Sequence, residues 1–207
     1  MILPRRSLLA ATALAAGTPA LVRAQPADPR LGERGVGAAD APVRVLEFFS
    51  LTCSHCAQFH RDTFPRVKAE ILDKGAARLV WRDFPLDRLA LTAAAVARSL
   101  PAERYEGFIG TLLANQDRWA FGRGETMNAL AGMAALAGMS RTKFDEVVAD
   151  EALARGIMEQ RSVAEREFNI QATPSFSFQA TGRPPRNQSG SVTFERFQAL
   201  VEEAKRA

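Results

Sequence analysis

Residues 43–60 read VRVLEFFSLTCSHCAQFH. Val43 to Phe49 is β-branched, aromatic and mostly apolar on both alternating faces, the pattern of a strand buried on both sides of a sheet. After it, Phe59, Phe64, Val67 and Ile71 recur at helical spacing and Gly75 supplies a stop, so a helix is expected from Ser54 to about Lys74. Ala77 to Phe84, ended by Pro85, reads as a second strand. Strand, helix, strand makes a βαβ unit, whose two strands run parallel. The chain's only two cysteines, Cys53 and Cys56, and its only two histidines, His55 and His60, all fall just after the first strand.

That placement carries the chemistry. A strand leading into Cys53 and a helix running on from it set the first cysteine at a helix N-terminus, where free backbone N–H groups and the helix dipole favour an anion. The thiolate is the reactive form of cysteine, and two intervening residues let Cys56 close onto Cys53 within one helical turn. A loop that short removes little unfolded-state entropy, so the pair is a poor structural staple and points to redox chemistry. His55, between the cysteines, can lower the pKa of Cys53 by charge or hydrogen bonding, or stand in solvent as a bystander. Glu47 lies inside the apolar strand, six residues before Cys53. A carboxyl there needs a partner, such as an Arg or Lys, or a task, and one task is to accept the proton of Cys56 when a disulfide is resolved. Cys53, Cys56 and His60 also have spacings used by zinc sites, but structural zinc takes four ligands and there is no second half-site.

From about Arg88 to Phe168 the pattern is almost entirely helical. Leu153, Ile157, Ala164 and Phe168 form its clearest stripe. Ala172 to Phe178 is a short strand pattern containing Thr173-Pro174; Thr181-Gly182 marks a turn, and Phe194, Phe197, Leu200 and Val201 define a last amphipathic helix. Thr173-Pro174 can be an ordinary trans proline at a strand start or a cis bond, a form essentially confined to proline, which would leave the backbone of Thr173 free to pair with an extended chain.

Met1 to Ala24 has the form of an export signal: Arg5 and Arg6, an apolar stretch from Leu8 to Leu21, then Val22-Arg23-Ala24. The stretch is too short, and too interrupted by Gly17 and Pro19, to cross a bilayer as a helix. The run PRRSLL resembles a twin-arginine signal, which implies export in the folded state. Without Arg5, Arg6 and Arg23 the chain carries 24 basic and 23 acidic side chains. Charges so balanced and interspersed give no reason to invoke nucleic acid or an anionic membrane surface. About 183 residues then remain, enough for one domain with an insertion.

LEFFSLTCSHC, the later Asp83-Phe84-Pro85-Leu86 and the distant Thr173-Pro174 together resemble the DsbA family of the thioredoxin superfamily, from about Ala41 to Val201. The resemblance implies an α/β thioredoxin-like fold with an inserted helical domain. Residues 43–87 and 169–207 are then the two parts of the thioredoxin-like unit and 88–168 the insertion, behind the signal (1–24) and a polar leader (25–42). It implies Cys53 as attacking cysteine, Cys56 as resolving cysteine, Glu47 as buried acid and Pro174 as the cis-proline facing the pair. Ser54-His55 in place of Pro-His, and the segment QATGRPPRNQSG (179–190), depart from the family pattern. The implied activity is a periplasmic, monomeric thiol:disulfide oxidoreductase that donates its disulfide to unfolded exported proteins. It needs no organic cofactor or metal and is reoxidised by a membrane quinone-linked partner. The rivals are a disulfide isomerase or reductase of the same superfamily, and a non-catalytic binding module or chaperone with a metal-capped turn. The 18 residues between the signal and Val43 are too few for the dimerisation segment of isomerases that resemble DsbC and DsbG.

Overall fold

The computed structural model describes residues 28–206; the expected export signal lies outside the described residues. Among the described residues β1 (Arg34–Val36), β2 (Val43–Phe49), β3 (Arg78–Asp83), β4 (Ser175–Ala180) and β5 (Arg186–Ser189) form one sheet in the order β1-β3-β2-β4-β5. The central strand is the apolar run quoted above, buried along nearly its whole length. It runs parallel to β3, with Glu47 paired to Trp81, and antiparallel to β4, with Glu47 paired to Phe176.

Both outer strands fall where the sequence predicts none. β1 lies within the residues read as a leader, and pairs antiparallel with β3. Its side chains make no apolar alternation; the backbone makes the strand, and Gly35 lies so near β3 that a Cβ there would stand 2.6 Å from the Leu79 carbonyl oxygen. β5 pairs with β4 across a hairpin that turns at the expected Thr181-Gly182, with Gly182 at φ 74°. Its residues, Arg-Asn-Gln-Ser, face mostly solvent, so no hydrophobic period marks it.

The single helix expected from Ser54 to Lys74 is in fact interrupted. α1 (Ser54–Asp62) ends at Thr63, α2 (Phe64–Val67) restarts with Pro65 in its first turn, and a wide π-type turn (Lys68–Leu72) follows before Gly75. Proline has no N–H to continue the ladder but fits a first turn, so the chain re-initiates there. The Thr63 hydroxyl holds the break by donating to the Val192 carbonyl at 3.1 Å.

The predicted helical stretch comprises α3 (Arg88–Arg98), α4 (Ala102–Ala114), α5 (Gln116–Trp119), α6 (Thr126–Leu136), α7 (Arg141–Val148) and α8 (Glu151–Phe168). Leu153, Ile157 and Ala164 of the expected stripe are buried, and Phe168 packs on Phe48 with ring centroids 5.3 Å apart. One hydrophobic cluster passes without interruption from Val45, Leu79 and Trp81 in the sheet to Ala94, Leu112, Trp119 and Leu153 in the helices. On the opposite sheet face Leu46, Phe48, Val80 and Phe84 pack with Ala164 and Ile170. Buried Arg98 of α3 ties the parts together by donating to Asp83 on β3 and to the Arg30 and Gly32 carbonyls, each at 3.0 Å. The last helix, α9 (Phe194–Arg206), buries Phe194, Phe197, Leu200 and Val201 as its pattern predicts. Phe197 packs with Phe178 at 5.1 Å and Phe176 at 6.1 Å between centroids.

Candidate active site

The turn between β2 and α1 is held from three directions. Asp87, the N-cap of α3, accepts from the Ala90 N–H and from the Thr52 hydroxyl, both at 2.7 Å. Gln116 of α5 donates to the carbonyls of Leu51 at 2.8 Å and Cys53 at 3.0 Å. On the third side stands the loop before β4, where the Thr173–Pro174 bond is cis, as predicted, and the Thr173 carbonyl lies 3.3 Å from Cys53 Sγ.

Cys53 is the N-cap of α1 and Cys56 sits within the first turn. Both are free thiols here. Cys53 is 8% exposed and Cys56 not at all. A hydrogen bond from the Cys56 thiol is the main reason that the Cys53 pKa falls to about 5. Burial opposes the fall; a side-chain hydrogen bond with Thr173 and the backbone N–H groups of Cys56 and His55 add to it. As a thiol, Cys53 donates to the Thr173 carbonyl. As a thiolate it needs donors, and the Thr173 hydroxyl is buried with no other partner. His55 is exposed, and what it brings to the sulfur is its backbone N–H. Cys56 is shifted the other way: burial pushes its thiol well up, and the neighbouring Cys53 sulfur and the Glu47 charge add to this. At neutral pH the turn therefore holds a thiolate at Cys53, which keeps a small exposure, and a thiol at the fully buried Cys56.

Glu47 is fully buried beneath the turn and does have a partner, though not an Arg or Lys. Its Oε1 lies 2.9 Å from His60 Nε2, and its Oε2 is buried with no hydrogen-bond partner. His60 is itself only 5% exposed at the side chain, set among Phe49, Phe59 and Phe64 with centroids 4.9–6.2 Å away. In the sequence His60 stands out only as a candidate metal ligand. One α-helical turn beyond Cys56 it lies on the same helix face, a spacing compatible with a role beneath the pair. Its bond to a strand residue 13 positions earlier leaves no local signature, and neither does the brace from Gln116.

The family model described as thioredoxin matches residues 30–203. The crystal structure of alpha-DsbA1 from Wolbachia pipientis superposes with a TM-score of 0.76 at 26% identity, covering 84% of this chain and 91% of that one. Oxidised BdbD from Bacillus subtilis shares the fold at a TM-score of 0.71 and 20% identity, over 87% of this chain and 96% of that one. A Rickettsia typhi protein, provisionally named a protein-disulfide oxidoreductase, is 27% identical over 142 residues, which are 68% of this chain and 52% of that protein. Against the first curated relatives the chain thus spans between about half and two thirds of their length. With the sheet order, the cysteine turn at the head of α1 and the cis-proline loop facing it, these matches close the question of kinship: the chain belongs to the thioredoxin family and has the fold of the DsbA structures.

Proposed function

We propose that this chain is an exported thiol:disulfide oxidoreductase of the DsbA type, working as a dithiol oxidase in the periplasm. The observation that carries the proposal is the opposed setting of the two sulfurs: Cys53, slightly exposed at the head of α1 and 3.3 Å from the Thr173 carbonyl, held down to about 5, and Cys56, fully buried, pushed up. A substrate thiolate attacks Cys53 Sγ in the Cys53–Cys56 disulfide, and Cys56 leaves as a thiolate that takes up a proton. A second substrate thiolate attacks the substrate sulfur of the mixed disulfide and expels Cys53 as its stabilised thiolate. The substrate gains a disulfide and the enzyme keeps two electrons as a dithiol. A low thiolate pKa makes Cys53 a good leaving group, which favours giving the disulfide away. Thr173 and Pro174, beside the sulfur, are placed to dock an extended chain, in keeping with unfolded exported proteins as substrates. A quinone-linked membrane partner would then remove the electrons, with no other cofactor. Isomerase or reductase work by the same pair is the competing assignment.

Equilibrating the protein with glutathione buffers decides between them. A potential well above that of an unperturbed dithiol supports the oxidase; one near or below it assigns reduction. In cells, Cys56→Ser should accumulate mixed disulfides between Cys53 and exported proteins, and the absence of such adducts would count against the donor role.

A further inference from the structure

Oxidising the reduced pair removes a proton from a thiol that has no contact with solvent. Cys56 is fully buried, and so is Glu47. Glu47 Oε1 is bound to His60 while Oε2 faces no donor, so the carboxylate keeps one acceptor free in the layer beneath the cysteines. The Glu47 charge is among the causes that raise the Cys56 thiol, after burial and the Cys53 sulfur. A proton passed to this carboxylate is still trapped unless something carries it out.

The way out begins at His60. Its ring lines a cavity of about 250 Å³ together with Ala57, Arg61, Trp81, Glu106, Gly107 and Gly110. A volume of that size accommodates a file of waters, each filling roughly 30 Å³. Arg61, Gly107 and Ala114 on its rim are exposed, so the cavity communicates with solvent. Gly107 and Gly110 stand on the interior turns of α4, where glycine weakens a helix. Packing does not demand them, because a Cβ at either would meet nothing within 4 Å. Both line the same open space as His60. Ionisable groups around the pair are Cys53 at the N-cap of α1, Cys56 and Arg61 on α1, and Glu106 and Tyr105 on α4; Tyr105 donates to Asp83 and packs on Trp81.

We propose that His60 is the proton carrier of the thiol–disulfide exchange, taking the Cys56 proton from Glu47 at Nε2 and delivering it through the α1–α4 cavity to solvent. The inference rests on the function proposed above. During oxidation by a disulfide RSSR, the Cys53 thiolate attacks one sulfur, forming Cys53–S–S–R and releasing RS⁻. The Cys56 proton then passes to Glu47, the Cys56 thiolate attacks Cys53 Sγ, and the second RS⁻ departs. Two electrons pass to RSSR, and the proton leaves Glu47 through His60. During disulfide donation the same path returns a proton to Cys56.

An aromatic disulfide that releases a coloured thiol reads the two steps separately, the first release reporting attack by Cys53 and the second reporting attack by Cys56. In His60→Phe, which keeps an aromatic ring among its phenylalanine neighbours, the first release should stay within about twofold of the parent. The second should slow about tenfold or more at pH 7, toward the low end of what a positioned acid–base group contributes. The deficit should shrink above pH 9, where hydroxide can replace the carrier. In His60→Ala, added imidazole should restore the second release, which a purely structural histidine would not allow. Gly110→Leu closes the cavity while leaving the Glu47–His60 pair in place and improving helix propensity, and should slow the same step. A second release unchanged in both His60→Phe and Gly110→Leu overturns the proposal. Loss of the first release in the unaltered protein is a different failure, since it removes the thiol chemistry itself.

Discussion

Cys53 and Cys56 are three positions apart on one helical turn, yet they meet opposite surroundings. Cys53 has donors around it; Cys56 has an apolar layer, a sulfur and a carboxylate. A thiol whose pKa falls from 9.0 to about 5 on folding stabilises the reduced protein fully only above the unfolded value. At pH 7 the contribution is ~2.7 kcal/mol, and it is lost as pH falls through 5. Alkylation of the reduced protein should therefore titrate with a midpoint near 5, at Cys53 alone. Mass spectrometry of the labelled peptide checks it, and equal labelling of Cys56 would refute the assignment. The cysteine pair at a helix start was legible in the sequence because it rests on short-range geometry, whereas Pro174 beside it was reached through the family resemblance. The Glu47–His60 pair was not legible, since a strand residue and a helix residue meet only after the layers pack. Nor could the sequence decide whether the His55 ring acts on the sulfur or stands in solvent.

At the scale of elements, burial decided what could be read. β2, β3 and β4 are buried along most of their length, and their apolar runs or Phe alternation show it. β1 and β5 are edges made by backbone pairing, with side chains that follow no period. The break at Thr63 is a case where hydrophobic spacing runs on through a point at which Pro65 stops the hydrogen-bond ladder. Two side chains that join elements offer tests. Asp87→Ala removes the cap of α3 and the acceptor of Thr52, and should lower stability by about 1 kcal/mol in denaturant unfolding. Arg98→Met leaves Asp83 buried without its ion pair and two carbonyls without a donor. The expected loss is ~3–5 kcal/mol, with the alkylation midpoint of Cys53 unmoved. A change under 1 kcal/mol would mean that Arg98 does not hold α3 to the sheet.

For the molecule as a whole, the insertion and the thioredoxin-like unit share one uninterrupted core. Heat should therefore unfold them together, with tryptophan fluorescence and far-ultraviolet dichroism giving coincident transitions. The thiolate contribution belongs to the reduced form only, as the disulfide has no proton to lose. Between pH 4 and pH 7 the melting temperature of the reduced protein should rise relative to the oxidised one by about 5–10 °C. Expressed as a potential, ~2.7 kcal/mol makes the disulfide more oxidising by ~60 mV. A difference independent of pH would dissociate the low Cys53 pKa from the redox preference.

Gln116 belongs to the insertion, yet its amide donates to the carbonyls of Leu51 and Cys53, on either side of the nucleophile's turn. Those two bonds join the helical layer to the turn that carries Cys53. If their strength differs between dithiol and disulfide, thermodynamic reciprocity applies: a protein that grips α5 shifts the potential of the cysteines, and the charge state of the cysteines shifts its grip by the same factor. A ligand of α5 would thus distinguish dithiol from disulfide without touching either sulfur.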